Sequence, residues 1–506
     1  MQYKQFLTKN VLFNFISLIA GAGMVFAFAP FYQFYLAIIS PAILLYIWMK
    51  SSRAQAFWQG LFFGIGFYGV GVYWVFISVH VFGNTSSLIA GLINGGFVLI
   101  LSCFIAINGY LLRRWFHQHS NTLLLAFPTL WVISEWVLSW FMTGFPWLTL
   151  GYSQITSPLA GYAPLFGVYG ASFACTLSAG LIINALKSRR KCLYSLLGLS
   201  IVWGLGYGLA QISWTTPTNK PLSVSLIQGN VPQTLKWQPA RLQNTLNRYK
   251  TLTEQHWQSD LIVWPEAAIP VWLNDASGFI NPLAKQAKRH NTTIMTGIPI
   301  ADVDNKVYYN GLIAIGQNNG QYLKQHLVPF GEYLPFARLI RGIINFFDLP
   351  MSSFTAGPEQ QKLINVNGIP VANFICYEIA YLDEILDYVP EAQLLINISD
   401  DSWFGHSWAA DQQFGIARMR ALETGRYVLT AGNSGITGII GPKGKVLQRI
   451  PEYKTMTLTG TVRAMKGETP IAWLGLTPIV ILMGLLLFMA FIYRPEALKA
   501  NHGLPH

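Results

Sequence analysis

Three short segments end apolar runs on residues that can do chemistry. Leu261-Ile262-Val263-Trp264-Pro265-Glu266 closes on a carboxyl group. Tyr322-Leu323-Lys324 carries a lysine into a Pro/Gly-rich turn that holds Glu332. Val371-Ala372-Asn373-Phe374-Ile375-Cys376 closes on a thiol, with Tyr377 and Glu378 directly after it. A thiolate is a nucleophile, a carboxylate can take its proton, and an ammonium can stabilise developing negative charge. Each residue alone is ordinary, since a Glu after a strand is commonly a turn residue and a Lys beside aromatics commonly lies along apolar surface. An acid, a lysine and a thiol that all sit at strand ends, where layered α/β folds place reactive groups, are a candidate for covalent catalysis. His256, His290, His326 and His406 show no metal-ligand spacing, so neither metal nor cofactor is expected.

The elements that must position these residues follow from periodicity. Strands are predicted over Leu222–Gln228, Asp260–Trp264, Thr293–Gly297, Gly311–Ile315, Pro370–Ile375, Leu394–Ser399, Val428–Ala431 and Thr437–Ile440. Helices are predicted over Ala240–Gln258, Phe279–Asn291, Ile379–Val389 and Ala409–Gly425. The alternation implies layered α/β structure, and roughly 250 residues suffice for a real core.

Charge is unevenly spread along the 506 residues. Between Ser213 and Thr469 lie 20 of the 22 acids and 22 of the 34 Lys and Arg, a net of +2 typical of a water-facing domain. The flanks carry +10 on a strongly apolar background. The excess lies between hydrophobic runs, so it marks membrane flanks and not a nucleic-acid surface. Spans are predicted over Val11–Ala29, Phe34–Met49, Phe57–Val79, Leu88–Leu112, Leu123–Phe141, Leu159–Leu186, Leu193–Ile212 and Ile471–Tyr493. Ala27-Phe28-Ala29 has the spacing of a signal-peptidase site, but Pro30 follows directly and the run is longer than a signal-peptide core, so the segment is expected to stay as a span. Lys and Arg cluster in alternate loops, from Lys4 and Lys9 through Lys187–Lys191 to Arg494 and Lys499, which places those loops in the cytoplasm. After seven spans the charged region then faces outward, to the periplasm of a bacterium. The organisation expected is a seven-helix bundle over 1–212, a periplasmic α/β domain over 213–469, an eighth span over 470–494 and a short tail over 495–506. Cys376 is the single cysteine of that outward domain, and a lone thiol in an oxidising compartment must be buried or used. Glu135 is the only carboxylate inside a span, and a structural role bonded to a neighbouring helix or loop is the leading reading. The apolar stretch from Leu339 to Met351 either packs in a core or dips into the membrane.

With these segments in view, the chain resembles the nitrilase superfamily, whose members use Glu, Lys and Cys in that order on an α-β-β-α sandwich. Within it, the whole length is similar to the bacterial apolipoprotein N-acyltransferases. The marks are Thr143-Gly144-Phe145-Pro146-Trp147, Gln228-Gly229-Asn230 with Lys236-Trp237, Trp264-Pro265-Glu266, Tyr308-Tyr309-Asn310, His326-Leu327-Val328-Pro329-Phe330-Gly331-Glu332 and Cys376-Tyr377-Glu378. The resemblance implies Glu266 as general base, Cys376 as nucleophile, and Lys324 with the Tyr377 N–H as oxyanion donors. Glu332 would orient Lys324, while Glu378, Trp237, Asn310 and Trp147 would support the site or touch substrate. It further implies a phospholipid acyl donor, a thioester on Cys376, and as acceptor the α-amino group of the S-diacylglyceryl cysteine of an apolipoprotein. The enzyme would be a multi-pass inner-membrane monomer in contact with membrane lipids. Two rival classes are a membrane-tethered nitrilase-type amidase, which would need only one anchor, and a transporter with an outward binding domain, which would carry more charge within its spans.

Overall fold

The computed structural model describes residues 2–116, 120–302, 304, 306–333 and 353–492. The apolar stretch Leu339–Met351 and the tail 495–506 lie outside the described residues. The chain divides into two compact units, one of Met1–Tyr73, Ile93–Ile212 and Leu476–His506, the other of Trp74–Leu92 and Ser213–Gly475.

The first unit is helical. Four of its described helical stretches are long and apolar enough to cross a membrane: Asn10–Ala27, Ser87–Trp115 (which starts in the second unit), Pro158–Ala185 and Arg189–Gln211. Helices Leu36–Met49, Thr122–Leu138 and Thr477–Ile492 are apolar but shorter. Val11, Phe15 and Ile19 on one helix, and Leu193, Leu197, Ile201 and Leu205 on another, expose large apolar side chains, a surface that water would penalise and lipid would not. Within the unit, close helix contacts rest on small residues. A side chain at Gly21 would run into the Phe63 carbonyl, and one at Gly66 into the Leu18 carbonyl. Glu135 accepts hydrogen bonds from Trp131 Nε1 at 2.9 Å and from the Leu150 N–H at 2.8 Å, so it ties its helix to the following loop.

Two expected spans are interrupted. The third breaks after Gly71, and the next helical stretch, Trp74–Phe82, is turned by 53°. If that bent pair is one span, the helices that qualify by length number five. Trp74 belongs to the second unit: its Nε1 donates to Gln412 Oε1 at 3.0 Å and its ring meets Phe404 edge-on, so the Trp74–Leu92 segment packs with the α/β residues. The apolar helix expected as the last span begins only at Thr477, because Gly475 adopts φ +63° and ends the short helix Pro470–Leu474.

The second unit holds two six-stranded sheets. The first has the order β12-β1-β2-β3-β4-β5, with β1 Thr216–Gln228, β2 Leu261–Val263, β3 Thr293–Asp302, β4 Val307–Gly316, β5 Gly320–Leu323 and β12 Met456–Lys466. The second has the order β11-β10-β9-β8-β7-β6, with β6 Ile364–Val366, β7 Ile369–Ile375, β8 Leu394–Ser399, β9 Val428–Gly432, β10 Thr437–Ile440 and β11 Val446–Ile450. Each sheet has three parallel strands at its centre, β1-β2-β3 and β7-β8-β9, flanked by antiparallel ones. Leu226, Val263 and Met295 from one sheet meet Val371, Ile396 and Leu429 from the other in a buried core. Helices Pro239–Glu254 and Ser277–Arg289 cover the outer face of the first sheet through Leu246, Tyr249, Ile280 and Leu283. Helix Ala409–Thr424 packs on the second. The layers run helix, sheet, sheet, helix.

Strands β2, β7, β8, β9 and β10 agree with expectation to within one residue at each end, β1, β3 and β4 run four to six residues beyond it at one end, and β5, β6, β11 and β12 lie where no strand is expected. The helix expected over Ile379–Val389 is a 3-10 turn, Cys376–Ala380, followed by the short helix Leu382–Leu386.

Candidate active site

The parallel strands end on one rim, and the candidate residues lie there. Glu266 follows β2 in the Trp264-Pro265 turn, and Ala267 after it takes φ +45°. Gly297 in β3 lies flush against this turn: a Cβ there would come within 2.6 Å of Glu266 Cα and 2.7 Å of the Pro265 oxygen. Lys324 leaves β5, its N–H bonded to the Asn310 carbonyl at 2.8 Å.

Around Glu266 the polar atoms converge. Asn310 Nδ2 donates to Glu266 Oε1 at 2.7 Å and to Glu332 Oε1 at 2.8 Å. Lys324 Nζ, 1% exposed, lies 2.9 Å from the Glu332 carboxylate and 3.7 Å from Glu266 Oε1. Glu332 Oε2 also accepts from the Val328 N–H at 2.8 Å, which pins the turn after the lysine. The Asp400 N–H donates to Glu266 Oε2 at 3.0 Å. Glu266, Lys324, Glu332 and Asn310 therefore form one buried cluster.

Cys376 caps β7 at φ +57°, a left-handed conformation that a non-glycine residue adopts at a cost. Gln413 Nε2 donates to its carbonyl at 2.8 Å. Glu378 is fully buried and not a surface acid. Its Oε2 accepts from the Ile375 N–H at 2.6 Å, and its Oε1 from Gln325 N–H at 2.6 Å, His326 N–H at 3.1 Å and Tyr322 Oη at 3.0 Å. One carboxyl thus joins the segment carrying Lys324 to the turn carrying Cys376. Tyr377 is half-buried, its ring edge-on to Tyr381 at 5.0 Å. Trp237 is exposed at 36%, following the short helix Gln233–Lys236. Trp147 belongs to the helical unit, where it is buried and stacks on Phe145.

Electrostatics decides which proton must move. Burial pushes the Cys376 thiol well up, Glu266 adds to the rise, and Lys324 opposes it. Burial also raises the Glu266 carboxyl, with Lys324 and Asn310 opposing and Glu332 and Asp400 reinforcing. For Lys324, burial acts to lower the pKa, but Glu332 and Glu266 outweigh it and the net direction is upward. The resting thiol is therefore protonated beside a fixed cation, and it can ionise only by giving its proton to a neighbouring base.

Several buried polar residues here were not anticipated: Lys236, Asp400, Asp401, Ser402 and Asn433. Asp400 and Asp401 follow β8 and Asn433 follows β9, so the strand-end rule that singled out Glu266 and Cys376 applies to them too. Lys236 stood in a motif but carried no role.

A two-sheet sandwich with an acid, a lysine and a thiol on its rim is the architecture of the carbon-nitrogen hydrolases, and residues 223–470 match the Carbon-nitrogen hydrolase family. Residues 20–181 match the Apolipoprotein N-acyltransferase N-terminal domain. The chain is 44% identical over 94% of its length to the Apolipoprotein N-acyltransferase of Coxiella burnetii, covering 99% of that protein. It is 38% identical over 96% of its length to the enzyme of that name from Methylococcus capsulatus, covering 97% of it. For the one from Pseudomonas putida the identity is 40%, over 95% of this chain and 96% of that protein. The chain belongs to the apolipoprotein N-acyltransferase family. The transporter and tethered-amidase alternatives fall with that membership.

Proposed function

We propose that the protein transfers a fatty acyl chain from a membrane phospholipid to the α-amino group of the S-diacylglyceryl cysteine of an apolipoprotein, through a thioester on Cys376. The observation that carries the mechanism is the buried Glu266-Lys324-Glu332-Asn310 cluster, electrostatically coupled to a strained, protonated thiol.

In the first half-reaction Glu266 takes the Cys376 proton as Sγ bonds to the ester carbonyl carbon. Lys324 and the Tyr377 N–H stabilise the oxyanion. The C–O ester bond breaks, and Glu266 returns the proton to the departing lysophospholipid oxygen. In the second, the neutral amine attacks the thioester, its N–H proton passes to Glu266, the C–S bond breaks, and Cys376 leaves as a thiolate that recovers the proton. One site serving two substrates in turn gives ping-pong kinetics. Asn310 and Glu332 hold Glu266 and Lys324 in register, Glu378 holds the lysine and thiol segments together, and Trp237 is assigned to substrate contact.

Both substrates carry lipid chains, and a water-soluble enzyme would have to extract them at about 0.8 kcal/mol per exposed CH₂. Membrane embedding removes that cost. We accordingly assign residues 1–212 to seven spans, 470–494 to an eighth and 495–506 to a cytoplasmic tail. The apolar short helices complete the count beyond the long ones, and residues 213–469 face the periplasm of the inner membrane. The alternating basic loops support that orientation. The enzyme is read as a monomer, since all the proposed chemical groups come from one chain.

The test is incubation of the purified protein with labelled phospholipid and no acceptor, followed by intact mass. A hydroxylamine-sensitive acyl adduct on Cys376 is expected. Acyl transfer to peptide without such an adduct in single-turnover experiments would overturn the thioester route.

A further inference from the structure

We propose that Lys236 and Asp400 are positioning residues for the thiol-activating carboxylate, holding residue 266 by its main chain and its side chain at once. The proposal rests on the reading of Glu266 as the base.

Lys236 is 1% exposed, and its Nζ donates to the Glu266 carbonyl at 2.9 Å and to Asp400 Oδ2 at 2.5 Å. The Asp400 N–H donates to Glu266 Oε2 at 3.0 Å. The three residues close a ring: the lysine holds the 266 carbonyl, the aspartate backbone holds the 266 carboxylate, and lysine and aspartate hold each other. Asp400 Oδ1 is itself anchored by Asn433 Nδ2 at 3.0 Å and by Ser402 Oγ at 2.5 Å. Asn433 Nδ2 also reaches the Val231 carbonyl at 2.8 Å. The ring thus couples the turn after β2 in one sheet to the turns after β8 and β9 in the other, the sheet that carries Cys376.

A general stabilising role explains this arrangement poorly. Burying two charges costs about as much as their attraction returns, and apolar residues of like size would fill the space as well. What apolar residues cannot do is hold the peptide at Glu266-Ala267, where Ala267 sits at φ +45°, and aim the carboxylate Oε1 at Asn310 and Lys324.

Charge gives the proposal a signature. The groups facing Glu266 are Lys324 and Glu332 from the segment after β5, Asn310 from β4, Asp400 and Asp401 after β8, Cys376 after β7, and Lys236 through the Glu266 carbonyl. Asp400 raises the proton affinity of Glu266, and Lys236 is the cation that balances it. Lys236→Met should therefore move the acid limb of thioester formation to higher pH by about one unit, and Asp400→Asn should move it to lower pH. The double variant should return toward the wild-type limb, and Lys236→Arg should keep it.

The experiment measures thioester formation against pH with a fluorescent glycerophospholipid in detergent, with thermal unfolding in parallel. Both single variants should lose about tenfold or more in kcat, with KM for the phospholipid within a factor of about two. If Lys236→Met does not fold, Asp400→Asn and Lys236→Arg carry the test, since one keeps the shape and the other the charge. An acid limb that stays in place in folded Lys236→Met or Asp400→Asn, or that shifts in Lys236→Arg, overturns the positioning role. Glu266→Gln runs alongside: thioester accumulation in that variant would overturn the base assignment, whereas its loss with unshifted Lys236 and Asp400 profiles sinks only this proposal.

Discussion

Cys376 is a thiol that burial and three carboxylates keep protonated, so its reactivity depends on who takes the proton. Cys376→Ala should abolish acyl-adduct formation, while Cys103, Cys175 and Cys192 should each tolerate alanine; intact mass reads both. Glu266→Gln and Lys324→Ala should slow thioester formation by about 3 kcal/mol or more in barrier height, the cost of losing a base or an oxyanion donor. Wild-type rates in either would remove its assigned role. Asp401 offers a pH prediction. Burial pushes its carboxyl from 3.8 up to about 8, with Asp400 adding to the rise and Ser399 opposing. A carboxyl whose folded value is raised contributes stability that is fully present below its unfolded pKa and is lost as pH rises through the folded one. From this group the melting temperature of the protein should thus fall between about pH 4 and about pH 8. Asp401→Asn should flatten that fall, recovering on the order of a few kcal/mol at the alkaline end. Parallel curves for the two proteins would contradict the raised value.

At the level of elements, the site depends on where strands stop and how closely they pack. Gly297 lets β3 pass directly under the Glu266 turn, and a methyl group there meets backbone atoms that cannot step aside. Gly297→Ala should displace Glu266 and cost about 1–3 kcal/mol of stability, with activity falling more than stability alone explains. Gly441→Ala is the control, since its nearest atoms would lie at 3.5 Å in ordinary contact. Equal, small effects from both would mean that the turn yields. The Trp74–Leu92 segment is a second such element. Trp74 bonds Gln412, and the next residue, Gln413, bonds the Cys376 carbonyl. Trp74→Ala should therefore loosen the start of helix Ala409–Thr424 and lower the rate of thioester formation. A matched loss in Trp58→Ala, whose ring is exposed at 54%, would show that the effect is not specific.

For the whole molecule, the uneven charge makes a topological prediction. Single cysteines introduced at Asn84 or in the 213–469 region, on a background lacking the native reactive thiols, should react with an impermeant reagent from the periplasmic side. One at Ser188, among Lys187, Arg189 and Arg190, should react only after the membrane is opened. The reverse pattern would invert the orientation and place the acyl-transfer site in the cytoplasm.

Local pattern determined much of this protein by itself. Strands inside the sheets read as apolar runs because both faces are covered, so β8 and β10 were legible to the residue. Edge strands β11 and β12 alternate with exposed polar residues, and β5 and β6 are only four and three residues long, so none carries a comparable signal. The strand-end positions of Glu266 and Cys376 were legible because each closes an apolar run on a reactive group, whereas Lys324 follows the short β5 and stood out only by the Pro/Gly-rich turn after it. Tertiary structure decided the rest. Hydropathy runs on past Gly71 and registers neither the 53° bend nor the packing of Trp74 on Phe404 and Gln412, more than 300 residues away in sequence. Glu378 stood in the sequence only as a support or substrate contact implied by resemblance, and the four donors from two segments that close on it appear only in the fold. Lys236 and Asp400 are 164 residues apart and mean nothing to one another in sequence. A strand end can be read from its own residues, but the partner of a buried charge is set only when distant strand ends are brought to the same rim.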